Sequence, residues 1–206
     1  MANRARTARW QRLLDTFPDF ADMSVLDLGG TTWYWSTAPV RPASLTLLNP
    51  PGWAPDVLPW AEVVPGDACE PPLEIRERRF DLVYSNSTLE HVGGHYRRQQ
   101  FAEVTRTQAT QAWVQTPYRY FPIEPHFLIP GFQQLPLSIR VRLATVWPLT
   151  PSTFPTDRVA IRDELMEVEL LSVTEMRSYF PDAQIMYERA AGMIKSIIAV
   201  RGPTIS

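Results

Sequence analysis

The sequence predicts an α/β sandwich: seven strands, mostly parallel with the last antiparallel, flanked by helices on both faces. Three observations predict it. Seven short apolar runs recur along the 206 residues, at 24–28, 44–48, 62–64, 80–85, 112–115, 184–187 and 195–200. Most are continuously or nearly continuously apolar, as strands covered on both faces of a parallel sheet are. Helix-compatible segments alternate with several of them, the pattern of right-handed crossovers. Only residues 188–194 separate the last two runs, too few for a parallel crossover, so these two pair antiparallel.

The elements follow in order. Trp10, Leu13, Leu14 and Phe17 fall at helical spacing in a basic opening segment that lacks the apolar stretch of a signal peptide. The run Val25-Leu26-Asp27-Leu28 then enters Gly29-Gly30, a buried strand ending in a tight turn against which a ligand can lie on bare backbone. The connections 38–42, 50–60 and 68–79 are short and proline-rich, so their helices are brief or absent. Residues 96–111 predict a helix with Phe101 and Val104 on one face. Ser172 and Glu175 have capping-box spacing, Val173, Met176 and Phe180 form a stripe, and Pro181 stops that helix.

Segment 117–158 lies outside the strand pattern. It carries Tyr118, Tyr120, Phe121, Phe127, Phe132, Trp147 and Phe154 among prolines. Long excursions of this kind serve as lids or binding loops, and this one follows a strand end, where open α/β sheets bind ligands. It is expected to be a substrate-facing cap inserted into a single domain spanning 1–206.

Composition narrows the partners. The apolar fraction of 45% supports a packed core and excludes disorder. A net charge of -2 gives no basic field for nucleic acid. Lys195 is the only lysine among the 20 cations, read as codon bias in a GC-rich genome. The single cysteine, Cys69, excludes an internal disulfide. No apolar run reaches membrane-spanning length, and a cytoplasmic protein is expected.

Four motifs fall in a fixed order. They are the Asp27–Gly29–Gly30 turn, Asn49 roughly 20 residues on, Gly66-Asp67-Ala68, and Asn86 through Leu89-Glu90-His91. This succession resembles the class I S-adenosylmethionine-dependent methyltransferases, in the style of a small bacterial, methyltransferase type 11-like subgroup. The resemblance implies a Rossmann-like seven-stranded fold and S-adenosyl-L-methionine as cofactor. It implies that Asp27, Gly29 and Gly30 pass beneath the methionine part. Asn49 stands where the family's acid takes the ribose diol, Asp67 and Ala68 meet the adenine, and Asn86 faces the sulfonium. The third glycine of the family's turn is absent, because Thr31, Thr32 and Trp33 follow. Asn49 is an amide where the family has a carboxylate.

Other chemistries fit less well. A dinucleotide-binding turn needs three spaced glycines, and no phosphate-loop lysine is present. His91 and His95 lie four apart, but nothing completes a closed metal set, so no metal is expected. Methyl transfer needs alignment of donor and acceptor, and an oxygen acceptor of high pKa also needs a base. Histidine titrates near neutrality. His126 or His91 is therefore the candidate base, with Glu124 orienting it or the substrate. Trp33, Tyr118 and Tyr120, together with Tyr34 and Trp35, offer aromatic walls for an acceptor pocket or join the core. The apolar stretch 127–149 suits a membrane surface or a lipid-like acceptor. The sequence thus predicts methyl transfer to a small-molecule acceptor, with oxygen favoured. The alternative is a non-catalytic cofactor-binding or regulatory protein of the same fold.

Overall fold

The computed structural model describes residues 2–53, 58–123, 129, 131–147 and 155–202, with side chains from Arg6 onward. Seven strands form one sheet: β1 (Ser24–Leu28), β2 (Ser44–Asn49), β3 (Ala61–Pro65), β4 (Phe80–Asn86), β5 (Ala109–Pro117), β6 (Gln184–Ala190) and β7 (Met193–Arg201). Their order is β3-β2-β1-β4-β5-β7-β6. All contacts among β1 to β5 are parallel, and β7 runs antiparallel to both neighbours. The sheet agrees with the sequence expectation. The short gap before β7 is a turn at Ala191 and Gly192, both with positive φ.

Seven helices accompany the sheet among the described residues: α1 (Ala2–Thr16), α2 (Thr32–Ser36), α3 (Leu73–Arg76), α4 (His95–Gln108), α5 (Leu137–Val146), α6 (Arg158–Glu167) and α7 (Val173–Tyr179). Of the proline-rich connections, 68–79 holds the brief helix α3, and 38–42 and the described part of 50–60 hold none, the equally brief α2 lying just before the first of them. The predicted helix 96–111 is cut short, because Ala109 already pairs with Phe80 in the β5–β4 ladder. Hydrogen bonding to a neighbouring strand outweighs helix propensity there. At α7 the capping box forms as read: Ser172 Oγ accepts from the Glu175 N–H at 3.3 Å, and Glu175 Oε2 accepts from the Ser172 N–H at 2.8 Å.

Strand alternation sorts the core into two layers. Leu26, Leu28, Val83 and Val114 pack with Phe101 of α4 and Met176 of α7. On the other face, Val25, Leu47, Leu82 and Trp113 pack with Trp10, Leu13 and Phe17 of α1 and Trp35 of α2. That second layer is aromatic. Trp10 stacks on Tyr34 with ring centroids 5.1 Å apart and meets Trp35 edge-on at 5.2 Å. Tyr34 and Trp35 thus belong to the core, where their rings bury far more area than a pocket wall would.

Segment 117–158 contains α5 and leads into α6, two elements the sequence reading lacked. Pro117 closes β5, and α5 and α6 pair through Ala144, Ile161 and Leu165 around Phe132 and Ile129. Prolines and weak amphipathicity hide α5, which packs along only part of its surface. The excursion leaves and returns at one end of the sheet, where Tyr118 bridges Leu171 and Arg119 N–H donates to the Leu171 carbonyl at 3.0 Å.

Candidate functional site

The C-terminal ends of the parallel strands share one edge, where open α/β sheets take their ligands. Val25 and Asp27, Leu47 and Asn49, and Leu82, Tyr84 and Asn86 alternate toward the face covered by α1 and α2. Asp27, Asn49 and Asn86 therefore arrive on one face from three adjacent strands.

The glycine turn is shaped by its own neighbours. Gly29 has φ +84°, and a Cβ there would collide with the Thr88 side chain. A Cβ on Gly30 would collide with the Asp27 carboxyl. The missing side chains thus make room for a threonine from the β4 loop and an aspartate from β1. Gly29 N–H donates to the Leu48 carbonyl at 2.9 Å. Thr31 then caps α2, its Oγ1 accepting from Tyr34 N–H at 3.1 Å.

Asp27 is buried beneath this turn. Trp35 Nε1–H donates to its Oδ2 at 2.6 Å, and its Oδ1 has no hydrogen-bond partner among the described residues. Burial pushes its carboxyl up to about 7, against the pull of the Trp35 bond. Asn49 Nδ2–H donates to the Gly30 carbonyl at 2.7 Å, and its buried Oδ1 likewise has no partner there. One amide N–H is spent on the turn, and the amide oxygen is left beside it as an acceptor.

Asp67 sits after β3 with a part-exposed side chain. Arg97 of α4 forks onto both of its oxygens at 2.8 Å, and the Cys69 N–H adds a third bond at 2.8 Å. Partial burial would raise this carboxyl, and the Arg97 and Cys69 donors outweigh it and hold it below the usual range. Ala68 and Cys69 beside it are buried, and burial pushes the Cys69 thiol up to about 11.

Asn86 ends β4, and its Oδ1 accepts from Arg9 of α1. The same guanidinium forks onto Glu188 of β6 at 2.6 Å twice. Burial would lower the Arg9 pKa, and Glu188 outweighs it, so the guanidinium stays charged. Ser87, next in the chain, has φ +58° and donates its N–H to the Gln115 carbonyl at 3.0 Å. A serine in that region stores about 1–3 kcal/mol of strain. The turn Leu89–His91 follows, with Glu90 fully buried and its Oε2 accepting from Thr116 Oγ1 at 2.9 Å. His91 is exposed at the end of this turn. His95 Nδ1 lies 2.9 Å from the Tyr179 hydroxyl.

His126 and Glu124 lie outside the described residues. Trp33 is exposed, with the Arg6 guanidinium 4.5 Å over its ring. Tyr118 and Tyr120 meet edge-on at 5.5 Å, Tyr118 half-buried and Tyr120 exposed. Arg9, Thr88 and Arg97 were missed by the sequence reading. Arg9 and Arg97 reach partners far away in the chain, and no local pattern reports such contacts.

The strand order and the single reversed strand give the chain the fold of class I S-adenosylmethionine-dependent methyltransferases. It is similar to a candidate O-methyltransferase of Nostoc punctiforme PCC 73102, at 15% identity and a TM-score of 0.54, covering 97% of this chain and 56% of that one. It is similar to the N-methyltransferase NodS of Bradyrhizobium japonicum WM9, at 10% identity and a TM-score of 0.54, covering 98% of each chain. It also resembles magnesium protoporphyrin IX methyltransferase ChlM of Synechocystis PCC 6803, solved with bound S-adenosylhomocysteine, at 9% identity and a TM-score of 0.56, covering 97% of this chain and 83% of that one. The chain therefore spans just over half the length of the first of these. No family model and no curated relative matches the sequence.

Proposed function

We propose that the protein transfers a methyl group from S-adenosylmethionine to an oxygen of a small molecule. One observation carries the cofactor part of this reading: the buried Oδ1 of Asn49, without a hydrogen-bond partner among the described residues, beside the Gly29–Gly30 turn at the end of β2. A buried acceptor without a donor costs about 1–3 kcal/mol, and a ligand hydroxyl placed there repays it. The donor set fits a ribose: Asn49 accepts, the turn offers backbone, and Asp67 keeps a lone pair on Oδ2 for an exocyclic amine. Bound at that edge, the cofactor supplies an electrophilic methyl on a sulfonium.

The remaining work falls to this chain's own side chains. His126 or His91 takes the acceptor's proton, and Glu124 orients that base or the substrate. Trp33, Tyr118 and Tyr120 align the acceptor. His91 is favoured structurally by its turn, whose Thr88 abuts Gly29. Calorimetry with S-adenosylhomocysteine and transfer of labelled methyl to small-molecule fractions test the proposal. Binding is expected, and His126→Ala or His91→Ala should cut turnover about 100-fold while changing that binding less than twofold. No binding at high micromolar ligand overturns it, and binding without any transfer favours the regulatory alternative.

A further inference from the structure

Eleven large apolar side chains are exposed among the described residues, and their placement is one-sided. Trp33, Trp53, Tyr96 and Tyr120 follow β1, β2, β4 and β5, so all four stand at the C-terminal edge of the sheet. Each is between 57% and 70% exposed. Leu73, Ile123 and Met193 belong to the same edge, after β3, after β5 and in the β6–β7 turn. The other four, Ile139, Val146, Val159 and Met166, lie on α5 and α6, in the excursion that leaves and rejoins the sheet there. The opposite edge carries none among the described residues. Scattered single apolar side chains are ordinary on a surface, whereas a segregated set marks an interaction face.

The charge pattern indicates what meets that face. The chain's 22 acids leave two long gaps, residues 28–55 and 125–156. The first holds Trp33 and Trp53, and the second holds α5 with Arg140 and Arg142. On α5, Ile139, Arg142 and Val146 share the exposed side, spaced as one helical face. Arg6 stacks over Trp33. Leu73, Val159 and Met166 have exposed acids beside them, Glu70 and Glu74 for the first and Asp163 for the other two. The basic part of the face is therefore that of Trp33, Trp53 and α5. There, indole rings and aliphatic side chains with arginines and no acids in the same stretches suit the headgroup layer of an anionic bilayer. We infer that this end of the molecule seats on an anionic membrane surface, and that the methyl acceptor is an amphiphile presented from that surface. The substrate class rests on the methyltransferase reading, whereas the docking face stands on the surface pattern alone.

Co-sedimentation with phosphatidylcholine vesicles, with and without phosphatidylglycerol, tests the docking. Binding is expected only to the anionic vesicles, and it should weaken as salt rises. The double variant Ile139→Glu with Val146→Glu, both exposed, should lower vesicle partitioning at least about tenfold. Its affinity for S-adenosylhomocysteine should match the parent, which also shows that it folds. Failure of the parent to bind anionic vesicles overturns the inference, as does equal binding by the variant. A concentration-dependent dimer abolished by the same pair would assign the face to a second copy and overturn it too. Because cofactor affinity is measured separately, loss of the methyltransferase reading is distinguishable from loss of the docking face.

Discussion

At the scale of single residues, the site departs from its fold's usual chemistry in a way that is internally consistent. An acid at position 49 would offer two acceptors to a ribose diol, but Asn49 donates to the Gly30 carbonyl at 2.7 Å. A carboxylate there would face that carbonyl oxygen with no proton between them. Asn49→Asp is therefore expected to weaken S-adenosylhomocysteine binding about tenfold, near 1.4 kcal/mol, by loosening the turn. Tighter binding in calorimetry would show that the diol gains more than the turn loses. Asp27, Gly29 and Gly30 were legible as a buried strand end and a tight turn from their order alone. What the glycines accommodate was not, because Thr88 lies far along the chain and becomes their neighbour only when β4 pairs with β1.

At the scale of elements, α1 is tied across the sheet as well as packed on it. Arg9 joins Asn86 of β4 to Glu188 of β6, with only 12% of each ion-pair side chain exposed. Removing one partner of such a pair strands the other charge. Arg9→Ala is expected to cost about 3 kcal/mol in chemical denaturation, and Arg9→Met with Glu188→Met should recover most of it. A loss below about 1 kcal/mol for the single variant would make the ion pair incidental to stability. The strands and α7 were readable because apolar runs and a capping box are local signals. The lengths of α4 and β5, and the very presence of α5 and α6, were not. Strand pairing decides where α4 stops, and α5 and α6 are held by a cluster they make with each other and with Ile129 and Phe132.

At the scale of the whole molecule, one buried carboxyl gives stability a pH slope. Burial raises Asp27 to about 7, well above the unfolded value of about 4. The native state therefore holds this proton more tightly, so stability falls as pH rises from about 4 to about 7 and levels off above. Asp27→Asn keeps an acceptor for Trp35 and abolishes that slope. It should be the more stable form at about pH 8, by at most about 4 kcal/mol, and lose most of its advantage by about pH 5. Denaturation series at the two pH values check this, and parallel pH profiles would clear Asp27 of the role. The Arg9 tie has a further meaning in the order of synthesis. Arg9 leaves the ribosome 179 residues before Glu188, so while those residues are being made α1 has its cation but not its counter-charge. A helix made well before β6 is locked only after it, and its docking reports that β6 has taken its place at the sheet's far edge.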